Sequence, residues 1–195
     1  MSPTLLKIAH EENGRVLRFA VDCGEKTPKI YRALLAGAPA LEALTPDTVL
    51  DADTLAALAD ADARYTATVK ALRLLANSDH SARALARKLH ERGIEREMAE
   101  SVAAEMRESG YIREKDQAYR LAVTRANKKC WGPRRILADL VNKGYPASTV
   151  RKAIAQAEEE GDVDFEEIKA RLFAEKLPET ATGEDKRKLL WKQGF

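Results

Sequence analysis

Three glycines set the frame for the rest of this chain. Gly93, Gly144 and Gly194 stand 51 and 50 residues apart. Each closes a thirteen-residue segment: Ser81 to Gly93, Gly132 to Gly144, Thr182 to Gly194. An aliphatic residue precedes each glycine by four positions (Leu89, Leu140, Leu190), and a bulky apolar residue follows it (Ile94, Tyr145, Phe195). Gly110 and Gly161 each lie 17 residues beyond the preceding marked glycine. Self-similarity at a fixed period is the signature of stacked repeats, because one short unit cannot bury its apolar face alone.

Inside each period, apolar residues recur at spacings of three and four, which puts them on one helical face. The first period offers Val69, Leu72, Leu75 and Ala76, then Leu85 and Leu89, then Met98, Val102 and Met106. The second offers Ala118, Leu121 and Ala122 beside Arg125, then Ile136 and Leu140, then Val150, Ile154 and Ala157. The third offers Ile168, Leu172 and Phe173, then Leu189 and Leu190, with no third stripe before Phe195. Gly132-Pro133 opens a helix with the fixed φ of proline at the first turn, and Gly144 closes it in the left-handed conformation. A middle helix of about twelve residues is marginal alone and must pack on its neighbours. The expectation is a mainly α fold of tandem three-helix, helix-turn-helix-like repeats in a curved array. Its boundaries fall at 64–112, 113–161 and an incomplete 162–195.

Residues 1–63 read differently. Two β-leaning runs, Leu5–His10 and Arg15–Val21, flank Asn13-Gly14, a pair that tolerates the positive φ of a tight hairpin turn. Two strands are marginal alone, so the hairpin must lean on a helix or a third strand. Pro28 to Gly37 reads as a helix with proline in its first turn and glycine as its stop. A second helix starts near Asp51 and runs on or breaks near Asp60–Asp62. This region is a small β-hairpin plus acidic helices.

Net charge is only +2, but it is unevenly placed. Residues 1–63 carry −4, residues 64–195 carry +6, and Arg113–Lys152 alone carries +8. The middle helices hold Arg83, Arg87, Lys88 and Arg92, then Arg134, Arg135 and Lys143, then Lys186, Arg187, Lys188 and Lys192; Arg125, Lys128 and Lys129 precede the second set. Cations recurring at matched positions would stack into a positive track suited to phosphates or carboxylates, and its binding would weaken as salt rises. The alternative is the wet side of ordinary amphipathic helices. Trp131 and Trp191 stand among these cations, where they would stack on bases, anchor an interface or simply pack. Tyr111 is expected to plug the joint after Gly110. The acidic run Glu158–Glu167 reads as solvated helix ends.

Signals of catalysis are missing. No phosphate-binding loop, dinucleotide fingerprint or nucleophile elbow occurs, and His10, His80 and His90 form no ligand pair. Two separate cysteines, Cys23 and Cys130, suit a reducing compartment rather than a disulfide framework. The opening residues lack the apolar core of a secretory signal, and no run is long enough to span a membrane. A cytoplasmic, non-enzymatic protein without cofactor or metal is expected.

The stretches SARALARKL with ERGI, ESGYI, WGPRRILADLVNKGY and DKRKLLWKQGF, in this order and spacing, resemble the RecX family of recombination regulators. The resemblance covers roughly residues 66–195. It implies a protein without catalysis that binds the RecA recombinase and its filament on single-stranded DNA; a monomer is expected. Such proteins depress RecA's ATPase, strand-exchange and co-protease activities in DNA repair and the SOS response, and several bind DNA directly. By position, Arg83, Arg87, Lys88, Arg134, Arg135 and Lys143 fall on the family's basic motifs. After Tyr111 this chain has one acid, Glu114, where the family pattern has two. The competing readings are a helix-turn-helix repeat protein that binds DNA without RecA, and a helical scaffold for another acidic partner.

Overall fold

The computed structural model describes residues 2–195, with positions 37 and 39 described by backbone only. Three strands, β1 (Thr4–Glu11), β2 (Val16–Asp22) and β3 (Lys29–Leu34), form an antiparallel sheet in the order β1-β2-β3. Nine helices follow among the described residues: α1 (Pro39–Glu42), α2 (Ala52–Asn77), α3 (Ala82–His90), α4 (Arg96–Glu108), α5 (Glu114–Lys129), α6 (Pro133–Asn142), α7 (Ala147–Glu159), α8 (Phe165–Lys176) and α9 (Gly183–Gln193). The chain divides into two compact units, residues 1–74 with 89–102, and residues 75–88 with 103–195.

In the first unit the hairpin turn is wider than an Asn-Gly pair requires. Glu12, Asn13 and Gly14 all take positive φ (51°, 58° and 82°), closed by the Arg15 amide on the Glu12 carbonyl at 3.3 Å. The segment Pro28–Gly37 is not an α-helix; only Leu35–Gly37 makes a single 3-10 turn. Lys29–Leu34 pairs with β2, setting Phe19 opposite Tyr31 and Leu17 opposite Ala33. The physical reason is burial at period two. Tyr31 and Ala33 alternate with half-buried Ile30, Arg32 and Leu34, and the third strand completes a sheet that two could not hold. Leu5, Leu17, Phe19, Val21, Tyr31 and Ala33 form one apolar face, packed with Leu41, Leu50 and Leu58.

Both edges of this sheet are engaged, which keeps them from pairing with other chains. Residues 47–50 bond along β1, with the Leu5 amide on the Thr48 carbonyl at 2.9 Å and the Asp47 amide on the Leu5 carbonyl at 2.7 Å. On the other edge the Arg32 amide donates to Asp62 Oδ1 at 2.8 Å. On the opposite face Arg18 and Arg32 stand directly across from each other, and Glu11 bridges them at 3.6 Å to each.

Helix α2 runs unbroken for 26 residues, past Asp60–Asp62. Its buried positions are Leu58, Ala67, Thr68 and Ala71 rather than the expected stripe Val69, Leu72, Leu75 and Ala76, and Leu72 is exposed.

The second unit has one core. Ala118, Ala122 and Ala126 line α5, Ile136 and Leu140 come from α6, and Val150, Ala153, Ile154 and Ala157 come from α7. Phe165, Ile168 and Leu172 of α8 join it, with Leu189, Leu190 and Phe195 half-buried against it. Tyr111 does not plug its joint; it is 60% exposed. Ile112 does so instead, at 2% exposure, with its amide on the Met106 carbonyl at 3.1 Å. Val163 repeats this one period later, its amide on the Ala157 carbonyl at 3.0 Å. Burial thus falls on the second residue after the glycine. The Tyr145 phenol, buried and bonded to Gln117 Oε1 at 3.2 Å, is pushed up to about 12 by that burial. His80 is buried as well, while His10 and His90 stay exposed.

Candidate partner-binding surface

The exits of α3, α6 and α9 share one hydrogen-bond pattern. The Ile94, Tyr145 and Phe195 amides reach back to the Leu89, Leu140 and Leu190 carbonyls at 3.1, 3.1 and 3.0 Å. Gly93, Gly144 and Gly194 take φ of +83°, +91° and +87°. This is the Schellman closure, and the period-51 glycines exist to supply it.

Two of these exits also lock onto the entrance of the preceding middle helix. At the α6 exit, the Lys143 carbonyl accepts from Ser81 Oγ at 2.8 Å, and Ser81 Oγ accepts the Ala84 amide at 3.2 Å. A Cβ on Gly144 would lie 2.7 Å from Ser81 Oγ and 3.1 Å from the Arg83 Cβ. Glu114 supports the same entrance, accepting the Ala82 amide at 2.9 Å. At the α9 exit, the Gly132 amide donates to the Gln193 carbonyl at 2.8 Å and the Arg134 amide to the Gly194 carbonyl at 3.0 Å. Arg135 Nη1 donates to the Lys192 carbonyl at 3.2 Å and to Gln193 Oε1 at 2.6 Å. A Cβ on Gly132 would sit 2.5 Å from the Gly194 oxygen.

Arg83 lies against the Gly144 exit at the first joint, where the Lys143 ammonium is held by Asp139. The second gathers cations from two helices, Arg134 and Arg135 from α6 and Lys192 from α9. The second joint bounds a cavity of about 360 Å³ lined by Arg134, Arg135, Trp191, Lys192 and Gly194. The Arg134 guanidinium lies 5.1 Å from the Trp191 ring centre, within cation–π range. Trp191 is 75% exposed, whereas Trp131 is half-buried against the core. Around Trp131 stand Arg135 at 4.3 Å, Lys129 at 4.8 Å and Arg125 at 5.6 Å from the ring centre.

Other cations have defined duties. Arg125 Nε meets Asp139 Oδ2 at 3.1 Å, and Lys143 Nζ meets Asp139 Oδ1 at 2.9 Å. Burial would raise the Asp139 carboxyl, but hydrogen bonds from Lys143 and Arg125 outweigh it and hold the group below the usual carboxylate range. Lys188 pairs with Glu184 at 2.7 Å in the open. Lys186 stands 5.5 Å from the Phe173 ring centre. Lys88 Nζ lies 3.3 Å from His80 Nε2 on the half-buried side of α3, while Arg87 and Lys128 lie on exposed stretches of α3 and α5, and Arg187 on an exposed stretch of α9. Arg92 belongs to the first unit, where its carbonyl accepts from Lys70 Nζ at 3.1 Å.

Sequence reading named Gly132 as a helix entrance and Glu114 as a family acid, but it missed the contacts they make at the joints, and it gave Ser81 no role. The signal was present: the first position of each thirteen-residue segment is small or hydroxylic in all three (Ser81, Gly132, Thr182). The acidic run also does more than face solvent. Glu160 and Asp162 bond to the Tyr119 hydroxyl at 2.6 and 2.7 Å, and Asp164 caps α8. Among the described residues no group of acids, histidines and cysteines is arranged to hold a metal, and no helix is long and apolar enough to cross a membrane.

Residues 67–106 match the family model for the first three-helix domain of RecX. Regulatory protein RecX of Stenotrophomonas maltophilia strain K279a is 32% identical over 131 residues, covering 67% of this chain and 80% of that one. The chain belongs to the RecX family. The strain R551-3 protein of the same name is 31% identical over the same span. A crystal structure of regulatory protein RecX superposes with a TM-score of 0.77 at 21% identity, over 99% of this chain and 94% of that one. RecX from Lactobacillus salivarius gives 0.57 at 19% identity, over 69% and 90%. The fold is therefore the family's fold, mostly helical with three-helix repeats, and the family is one of regulatory proteins.

Proposed function

We propose that this chain binds RecA and its filament on single-stranded DNA, and restrains the ATPase, strand-exchange and co-protease activities of that filament. It does so by occupancy rather than chemistry. The observation that supports this reading is the pair of joints, where Arg83 lies against the Gly144 exit of α6, and Arg134 and Lys192 line one cavity from α6 and α9. Clustered cations on fixed backbone suit an acidic, phosphate-bearing groove, and cations spread over several modules can bridge neighbouring subunits. In this reading residues 64–112, 113–161 and 162–195 act as successive modules carrying one basic set each, and residues 1–63 form a separate leading part.

The test is RecA's DNA-dependent ATPase rate, titrated with the chain and with Arg134→Glu. Arg134 is the clean choice because its side chain is exposed, whereas Arg135 holds the α9 exit. Inhibition by the parent and a clear rightward shift of the titration for the folded variant support the proposal. No inhibition by the parent ends it. Equal affinity for naked duplex, with no effect on RecA, favours the helix-turn-helix reading instead.

A further inference from the structure

A tryptophan left 75% exposed forfeits one of the larger hydrophobic gains available to a side chain, so its surroundings bear on what covers it. On α9, Arg187 and Lys188 precede Trp191 by four and three positions, Lys192 follows Lys188 by four, and all are exposed, so they lie on one broad side of the helix. Leu189 and Leu190 turn the other way, into the core of the second unit. Arg134 enters the same patch from α6, its guanidinium 5.1 Å from the Trp191 ring centre. Arg134 thus stands against the Trp191 ring and Lys192 lines the same cavity, while Lys188 on this face is paired with Glu184. An aromatic anchor for a protein partner works inside an apolar, water-excluding surround. An aromatic among cations matches unpaired nucleic acid, whose bases offer π faces and whose backbone offers phosphates at short intervals.

We infer that Trp191 is a stacking platform for one base of single-stranded nucleic acid, with Arg134 and Lys192 on the flanking phosphates. The adjoining cavity, about 360 Å³, gives the nucleotide a seat beside the joint. Arg135 stays engaged with the Lys192 carbonyl and Gln193, so it fixes the floor and does not reach for the ligand. Paired bases are already stacked and present no free face, so duplex gains only the phosphate contacts. This deepens the proposal above by naming the chemistry recognised at the α6–α9 joint, and its test contains no RecA, so either can fail without the other.

The measurement is fluorescence anisotropy of labelled thymidine oligomers, abasic oligomers of equal length, and duplex, with the whole chain at low salt. Thymidine oligomers should bind tighter than abasic ones by about tenfold, the factor for one stacked base. Trp191→Ala should remove that difference without changing the salt slope, because no charge is lost. Trp191→Phe should keep most of it. Arg134→Ala should instead lower the salt slope by about one unit for every oligomer. In a Trp131→Phe background, where Trp191 is the one remaining tryptophan, thymidine oligomers should quench emission and abasic ones should not. Equal binding of abasic and thymidine oligomers, or an unchanged preference in Trp191→Ala, would overturn the inference. So would quenching by duplex equal to that by single strands.

Discussion

Gly132 and Gly93 are both glycines beside a middle helix, yet they answer to different physics. Gly132 has φ of −79°, which any residue can adopt. What excludes a side chain there is the Gly194 oxygen, 2.5 Å from where a Cβ would stand. Gly93 has φ of +83° and open space around it, so only backbone preference is at stake. Gly132→Ala should therefore cost about 2 kcal/mol by overpacking and should loosen α9. Gly93→Ala should cost about 1 kcal/mol and leave α9 in place. Urea melts followed by circular dichroism and by tryptophan emission separate the two, since only the first variant should disturb Trp191. Asp139 makes the same point for charge. Its carboxyl is held below the ordinary range, so the stability it contributes is present above that range and is lost as pH falls through its lowered folded value. Asp139→Asn should lose about 2 kcal/mol at neutral pH, the scale of a charged hydrogen bond, and converge with the parent in acid. Parallel pH–stability curves for the two proteins would refute this.

Among the elements, the α helices of the repeats were readable because period and burial agree: Leu85, Leu89, Ile136, Leu140, Val150 and Ile154 are all buried as their spacing implies. The failures came where apolar spacing fitted two answers. Ile30 to Leu34 is too short for its period to tell strand from helix, and only the need of β2 for a second neighbour decided it. In α2 Leu58 is buried, but farther along the helix Val69, Leu72 and Leu75 suggested the core face, and Ala67, Thr68 and Ala71 are buried instead. A seam of small residues carries no hydrophobic periodicity and is invisible to a reading that weights size. The same seam in α5 yields a prediction. Ala122→Leu should cost about 1–3 kcal/mol by pushing α5 away from α7, whereas leucine at exposed Lys128 should be nearly neutral. Thermal melts of the two variants would show whether close approach of backbones is what the alanines provide.

For the molecule as a whole, a net charge of +2 concealed how the cations are used. Sequence registered that Arg and Lys recur at matched positions. It could not show that Arg125 is held by Asp139, or that Arg135 is tied to the α9 exit, because those partners lie 14 and 58 residues away. Nor could it separate Trp131 from Trp191, since exposure is a property of the packed chain. The uneven use of charge predicts that binding to single-stranded DNA falls steeply with salt, and that Arg83→Ala and Arg134→Ala each flatten the slope by about one unit. Arg125→Ala should instead lower stability and leave the slope nearly unchanged. Titrations at three salt concentrations distinguish these outcomes.

Because the Gly132 and Arg134 amides bond the Gln193 and Gly194 carbonyls directly, and because the short Ser81 side chain spans to the Lys143 carbonyl, both seams are tied at close range with no long flexible side chain carrying the link. A polymer lying against this protein meets an inelastic gauge. It must match the stride between one basic set and the next as it is, and a partner whose own repeat is longer or shorter can engage one set but not two.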